Sequence, residues 1–238
     1  MTEPAFATDA VPAATVLLLR DGADGLEVLM VRRNASLAFA GGAWVFPGGR
    51  VDPGDVDPDH PDDEIATARR AAAREAQEEA GLALDPASLV VLSRWCPPPQ
   101  APKRFNTWFF VGAATGEDVT IDNGEIHEHE WIRPAEAMRR RRAGEIEMIP
   151  PTWVTLLSLA GFTSTGDALE RIRSRQPDVF VTRMVRHDDG RQALLWAGDA
   201  GHLSGELDAT GTRHRLWMDG DDWRYERDFD RPGDAAGA

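Results

Sequence analysis

The stretch RRAAAREAQEEAGL, residues 69–82, constrains this chain more than any other. At 100° per residue, Ile65, Ala68, Ala71, Ala72, Glu75 and Glu79 share one stripe of a helix, with Glu78 at its edge. The stripe begins small and apolar, suited to lie close on a sheet, and ends in carboxylates. Glu75 and Glu79 are one turn apart, a spacing at which like charges cost a helix about a few tenths of a kcal/mol. Arg74 stands one turn before Glu78 and can pair with it. Carboxylates that continue an apolar face are best stabilised by a hard divalent cation that prefers oxygen ligands, Mg²⁺ or Mn²⁺.

Strand patterns surround this helix. The runs AATVLLLR and LEVLMVRR flank the turn DGADG and predict a hairpin. AWVFPGG predicts a short strand ending in a chain reversal. An acidic, proline-studded loop (52–63) follows, in which Asp62 or Asp63 is placed to cap the helix. SLVVLSRW, RFNTWFFVGA and EIHEHEWI predict further strands, and RPAEAMRRRRAG, PPTWVTLLSLAG and GDALERIRSR predict helices. Strands return from Pro177 in VFVTRMVR, RQALLWAGD and HRLWMD. Strands alternating with helices define an α/β chain. The expected organisation is a disordered tail (1–12), a main domain (13–176), a strand-rich C-terminal extension packed on it (177–227) and a second disordered tail (228–238). The extension can lengthen the main sheet, cover the site or form a homodimer surface.

Net charge of −14 over 238 residues argues against nucleic-acid backbones and anionic membranes as partners. The single cysteine, Cys96, excludes an intrachain disulfide and a cysteine-rich zinc site, and reads as a small buried hydrophobe. No signal peptide or membrane span is read from the sequence, so a cytoplasmic setting is expected. The run RRRR (139–142) closes a helix, where cations suit the dipole, and is expected to be solvated.

REAQEEAGL, residues 74–82, resembles the second half of the Nudix box at every fixed position, and FPGGRV supplies the opening glycine, Gly49. The resemblance implies a Nudix-type α/β/α sandwich with a mixed β-sheet over roughly residues 13–142. It implies metal-dependent hydrolysis of a small-molecule diphosphate linked to another group X. Carried over position by position, Glu75 and Glu79 resemble metal ligands, Glu78 a third or water-mediated one, and the Gly49 carbonyl a further oxygen. Glu125, six before Trp131, stands where the family's distal acid commonly occurs, with Glu128 as alternate. Glu75, Glu78 and Glu125 are the catalytic candidates, with Glu75 and Glu125 ranked as general base. Arg74 and Gly81 are structural residues of the box, and His127 and His129 are expected at the surface.

The box departs from the family pattern in spacing. Its glycine usually stands 14 residues before the arginine, but here the separation is 25, so 11 extra residues fall in the acidic loop. The first box glutamate, expected eight before the arginine, is replaced by Ala66, with Glu64 or Asp63 as the expected substitute.

RNASLAFAGGAWVFPGG, residues 33–49, resembles the Nudix subgroup that cleaves coenzyme A and acyl-coenzyme A, through Arg33, Phe39, Gly42 and Val45. That signature's second arginine would fall at Ala38. Arg33, Gly48 and Arg104 are the candidate substrate contacts, and Phe105 and Trp108 are candidate stacking residues more often found in cores. Within enzymes the alternative substrates are ADP-ribose, NADH and nucleotide sugars. The other class is a non-catalytic Nudix-fold nucleotide sensor, which the retained glutamates disfavour.

Overall fold

A computed structural model describes residues 10–36, 40–114, 119–121, 124–220 and 222–229. Among these residues the chain forms twelve strands and four α-helices. The central hairpin joins β1 (Val11–Gly22) to β2 (Gly25–Arg33), antiparallel through Leu19↔Val28. Past that register the two strands diverge. The short β3 (Trp44–Val45) pairs with the end of β2, and β4 (Gly48–Arg50) with the start of β1 through Thr15↔Gly48. On the far edge of β1, β6 (Phe105–Ala113) runs parallel to it over nine rows and pairs antiparallel with β5 (Val90–Cys96). β7 (Ile126–Ile132) covers the outer edge of β2.

Alternation along β1 and β2 divides the core between two faces. Ala14, Val16, Leu18 and Leu29 meet Ala68, Ala71, Ala72, Ala76 and Ala80 of α1 (Glu64–Ala80). Leu17, Leu19, Val28 and Met30 face the other way, toward Ala137 of α2 (Pro134–Arg142), Trp153 and Leu156 of α3 (Pro150–Leu159), and Ile172 of α4 (Thr165–Arg173). The result is the expected sandwich of helices on both faces of a mixed sheet. Alanines along α1 allow its backbone to lie close on β1. Asp63 caps the helix by accepting from the Ala66 amide, and Gly81 ends it at φ 71°, with Leu82 N–H donating to Ala76 O.

After α4 the chain adds β8 (Asp178–Val181) parallel to β5, so the extension does lengthen the main sheet. A second, antiparallel sheet follows in the order β12 (Asp222–Arg227), β11 (His214–Asp219), β10 (Gln192–Leu195), β9 (Arg183–Arg186). Trp95 of β5 stacks on Phe180 of β8 at 3.8 Å and meets Trp196 edge-on at 5.7 Å. Each such aromatic pair adds about 0.5–1.5 kcal/mol beyond burial. The two sheets therefore share one apolar cluster.

Several expectations need correction. Val11 and Pro12, assigned to a tail, pair with Phe105 and Asn106 as the first rows of β1. At the other end, Asp228 donates its amide to Arg213 O and Phe229 packs edge-on against His214. The remaining tail residues, 1–9 and 230–238, lie outside the described residues. The arginine run is not simply solvated: Arg139 pairs with Glu136 and Glu145, Arg140 with Glu130 and Glu136, and Arg141 sits 3.6 Å over the Trp223 ring. Cys96 is buried, as expected. Among the described residues no helix is long and apolar enough to cross a membrane.

His214 gives this core a pH response. Burial pushes its pKa down to about 4, with Phe180, Trp196, Tyr225 and Phe229 around the ring. Nδ1 faces Ala197 O at 2.7 Å and so carries the proton, while the Tyr225 hydroxyl donates to Nε2 at 3.0 Å. The unfolded histidine takes up a proton near pH 6.5, and the folded one resists until about pH 4. Its contribution is therefore present above pH 6.5 and lost as pH falls toward 4, on the order of 3 kcal/mol. Thermal melts between pH 7.5 and 4.5 should show a shallower acid loss for His214→Gln than for the native chain; parallel curves would contradict this.

Candidate active site

The site is built where the polar end of α1 meets β4. Apposition of Gly48 to Thr15 and Gly49 to Ala14 brings β4 against β1, and the chain reversal is pinned by the Thr15 hydroxyl donating to Pro47 O at 2.6 Å. A side chain at Gly49 would collide with the Glu75 carboxylate, so the glycine allows backbone and carboxylate to approach closely. The Gly48 N–H donates to Glu79 Oε2 at 3.0 Å.

Glu79 is buried at 5 % exposure. Burial pushes its carboxyl up to about 8; Glu75 and Glu125 push the same way, while the Gly48 amide and Arg33 oppose. Glu75 is also raised, first by burial, against its bond to Arg74. Glu78 is exposed and accepts from Arg74 Nη1 at 2.9 Å, as does Glu75. Glu125 reaches the group from the residue before β7, where its Oε2 lies 3.3 Å from Arg33 Nη2. Arg33 Nη1 lies 4.0 Å from Glu79 Oε1, and Arg33 Nε is buried with no hydrogen-bond partner among the described residues.

Arg74 is braced by a residue the sequence reading missed. Asp55, 4 % exposed, receives Arg74 Nε and Nη2 on its two oxygens, both at 3.1 Å. The Asp52 amide fixes Asp55 at 2.8 Å, and Arg74 Nη2 also reaches Arg50 O at 2.9 Å. The bonds to Asp55 and, next, to Glu75 raise the Arg74 pKa above its ordinary value. The expected substitutes do not serve: Asp63 is the helix cap, and Glu64 pairs with Arg94 and accepts from Trp108 Nε1. Counting backward from Arg74 crosses the insertion and lands on Ala66. Counting forward six residues from Gly49 lands on Asp55. The acid is therefore kept as an aspartate, and the extra residues lie between it and the helix, where Asp57 docks on Arg70 at 2.6 Å.

Other candidates fall outside this cluster. Arg104 precedes β6, five residues from Phe109, the residue in register with Thr15, and so about 16 Å along the strand from the Gly48 row. Phe109 is core, and Arg94 lies 4.7 Å over the Trp108 ring, which is thus already covered. His127 and His129 are exposed, as expected, and Glu128 pairs with Arg32 instead of joining the cluster. Phe39 and Ala38 lie outside the described residues.

The donors fit a hard divalent cation in kind. Four carboxylates face two arginines, one of which Asp55 also claims; the neighbouring carboxylates push up the pKa of Glu75 and of Glu79. Among the described residues no three acidic, histidine or cysteine side chains stand close enough as placed to enclose an ion. Arg33 reaches both Glu79 and Glu125, and Arg74 Nη1 bonds both Glu75 and Glu78.

The family model described as NUDIX domain matches residues 10–151. The chain belongs to the Nudix family. Its fold is similar to that of a Nudix hydrolase from Alicyclobacillus acidocaldarius, at 25% identity and a TM-score of 0.62, over 68% of this chain and 96% of that one. The Nudix domain of Shewanella oneidensis NrtR, solved with ADP-ribose, matches at 16% identity and a TM-score of 0.49, over 72% of this chain and 94% of that one. An Ap4A hydrolase from C. elegans matches at 23% identity and a TM-score of 0.44, over 64% of this chain and 100% of that one. No curated protein matches. Family and fold together make this a Nudix hydrolase whose second sheet, β9–β12, lies beyond the matched region.

Proposed function

We propose that this Nudix hydrolase cleaves the diphosphate bond of a nucleoside diphosphate linked to X, with coenzyme A and acyl-coenzyme A as the leading substrates. The observation that carries the reading is the convergence of Glu79 and Glu125 on Arg33, with Glu75 one turn before Glu79 on Arg74 and Glu79 buried at the end of the apolar face of α1. Glu75, Glu78, Glu79, Glu125 and the Gly49 carbonyl would hold Mg²⁺ or Mn²⁺. A bound cation supplies charge neutralisation at the diphosphate oxygens and a more acidic water. Glu75 or Glu125 takes the proton from the attacking water, and departure of the phosphate oxygen completes hydrolysis. Arg74, fixed by Asp55, orients Glu75 and Glu78. Arg33 is the phosphate contact, since an arginine can turn a bidentate fork on phosphate oxygens. Gly48 and the more distant Arg104 are secondary candidates.

Coenzyme A leads because the subgroup resemblance runs through Arg33 and Gly42, which meet here: the Gly42 amide donates to Arg33 O at 3.0 Å, with Gly42 at φ +79°. Ala38, in place of the signature's second arginine, favours ADP-ribose, NADH or nucleotide sugars as the alternative. The reading takes the enzyme to be cytoplasmic, without nucleic-acid or membrane partners, which the charge of −14 supports. A product-resolved assay with Mg²⁺ and with Mn²⁺ across these compounds tests it. Release of 3′,5′-ADP and 4′-phosphopantetheine is expected; cleavage of ADP-ribose alone selects the alternative, and tight binding without cleavage overturns the enzymatic reading.

A further inference from the structure

Arg70 and Arg74 stand one turn apart on α1, and both donate to the segment that precedes the helix. Arg74 gives Nε and Nη2 to the Asp55 carboxylate and Nη1 to Glu75 and Glu78. Arg70 bonds the same segment through its Nη1, which donates to Asp55 O at 3.1 Å, and its Nη2, which donates to Asp57 Oδ2 at 2.6 Å. Asp55 is thus gripped twice, by its carboxylate through Arg74 and by its carbonyl through Arg70.

The second grip falls where the 11 extra residues enter the box. Asp55 lies 19 residues before Arg74, and a longer loop is costlier to close. Asp57 ties that loop to α1 at Arg70, 13 residues on. The hydrogen bonds that residues 58–62 make among the described residues stay within residues 57–64. Both members of the Asp57–Arg70 pair are partly exposed, at 28% and 34% of their side chains. Such pairs add little to global stability, so this one counts for where it holds the chain. What depends on it is the division of the Arg74 fork. Nε and Nη2 are turned to Asp55, and Nη1 alone is left for Glu75 and Glu78. With Asp55 displaced, the other donors are released to close on the same two carboxylates and compete there with a cation.

We propose that Arg70 and Asp57 are positioning residues: they clamp the inserted segment on α1, hold Asp55 on Arg74, and so keep Glu75 and Glu78 available to the cation. This rests on the diphosphohydrolase reading above.

Arg70→Met removes both bonds and keeps most of the side chain's length. It should weaken Mn²⁺ binding, read by electron paramagnetic resonance without substrate, by about tenfold. It should lower kcat on coenzyme A and on ADP-ribose by about the same factor, with KM changed by about twofold or less. Arg70→Lys, which keeps the cation, should recover most of both losses. Asp57→Asn, which leaves α1 untouched, should weaken Mn²⁺ binding in the same direction by about threefold. On an Asp55→Asn background Arg70→Met should add about twofold or less, because effects passing through one group are not additive. Arg69→Met, which removes the bond from Nε to Leu89 O at 3.1 Å on the same helix, should leave Mn²⁺ affinity and kcat near native. Native Mn²⁺ affinity in Arg70→Met, or a full further loss on the Asp55→Asn background, overturns the proposal. If the native protein binds Mn²⁺ but cleaves neither compound, the diphosphohydrolase reading fails for them, and the Mn²⁺ affinities still decide the clamp. No Mn²⁺ binding by the native protein overturns both.

Discussion

Glu79→Gln is expected to lower kcat/KM for diphosphate hydrolysis about 10³-fold, a loss of about 4 kcal/mol of transition-state stabilisation, while the metal-free protein becomes more stable. The side chain keeps its size, and its remaining carbonyl oxygen can still accept the Gly48 N–H that now reaches Oε2 at 3.0 Å. What disappears is a buried negative charge. The folded carboxyl, pushed up to about 8, holds a proton that the unfolded one releases near 4.5. Its share of metal-free stability is therefore complete below pH 4.5 and lost as pH rises toward 8. Melts in EDTA should show Glu79→Gln gaining on the native protein across that interval, by about 1–3 kcal/mol near neutral pH. Mn²⁺ should close or reverse the difference. A variant that is both inactive and less stable would indicate a structural role and contradict this account.

The largest loss of stability is expected far from the site, at Asp199. Arg215 is fully buried, and its guanidinium meets Asp199 through Nε at 2.7 Å and Nη2 at 2.6 Å, with Nη1 on Leu207 O at 2.7 Å. Asp199 also accepts from the Gly201 and His214 amides. Burial alone would raise its pKa, but these donors hold it below the usual carboxylate value. Asp199→Ala removes all of them and leaves an uncompensated charge inside the second sheet. Breaking such a pair costs about 3–5 kcal/mol, or roughly 6–20 °C in Tm for a chain of this size. The paired change Asp199→Leu with Arg215→Met, which removes both charges, should recover most of the loss. A single variant melting within about 2 °C of the native protein would show the pair to be dispensable.

What the sequence made legible was periodic or local. Two-residue alternation exposed β1, β2, β5, β6 and β7, and the helical stripe placed Glu75 and Glu79 at the end of a buried alanine face. The capping residue was narrowed to two positions, one of which, Asp63, serves. Errors arose where counting crossed an insertion or where partners are distant in the chain. Asp55 is hidden from a backward count because the 11 extra residues separate it from Arg74, whereas the six-residue step from Gly49 points to it. Arg141 lies over Trp223, 82 residues later, and no local pattern announces such a contact. The Asp199–Arg215 pair is similarly non-local, and β12 carries charges on alternate positions that mask its strand character.

The central claim is that the carboxylates at the end of α1 form a divalent-cation site. The most direct measurement is an equilibrium titration with Mn²⁺, free ion read by electron paramagnetic resonance, on the native protein and Glu79→Gln without substrate. The account predicts saturable binding by the native protein and an affinity at least tenfold weaker in the variant. Equal binding by the two proteins, or none by the native chain, would contradict it.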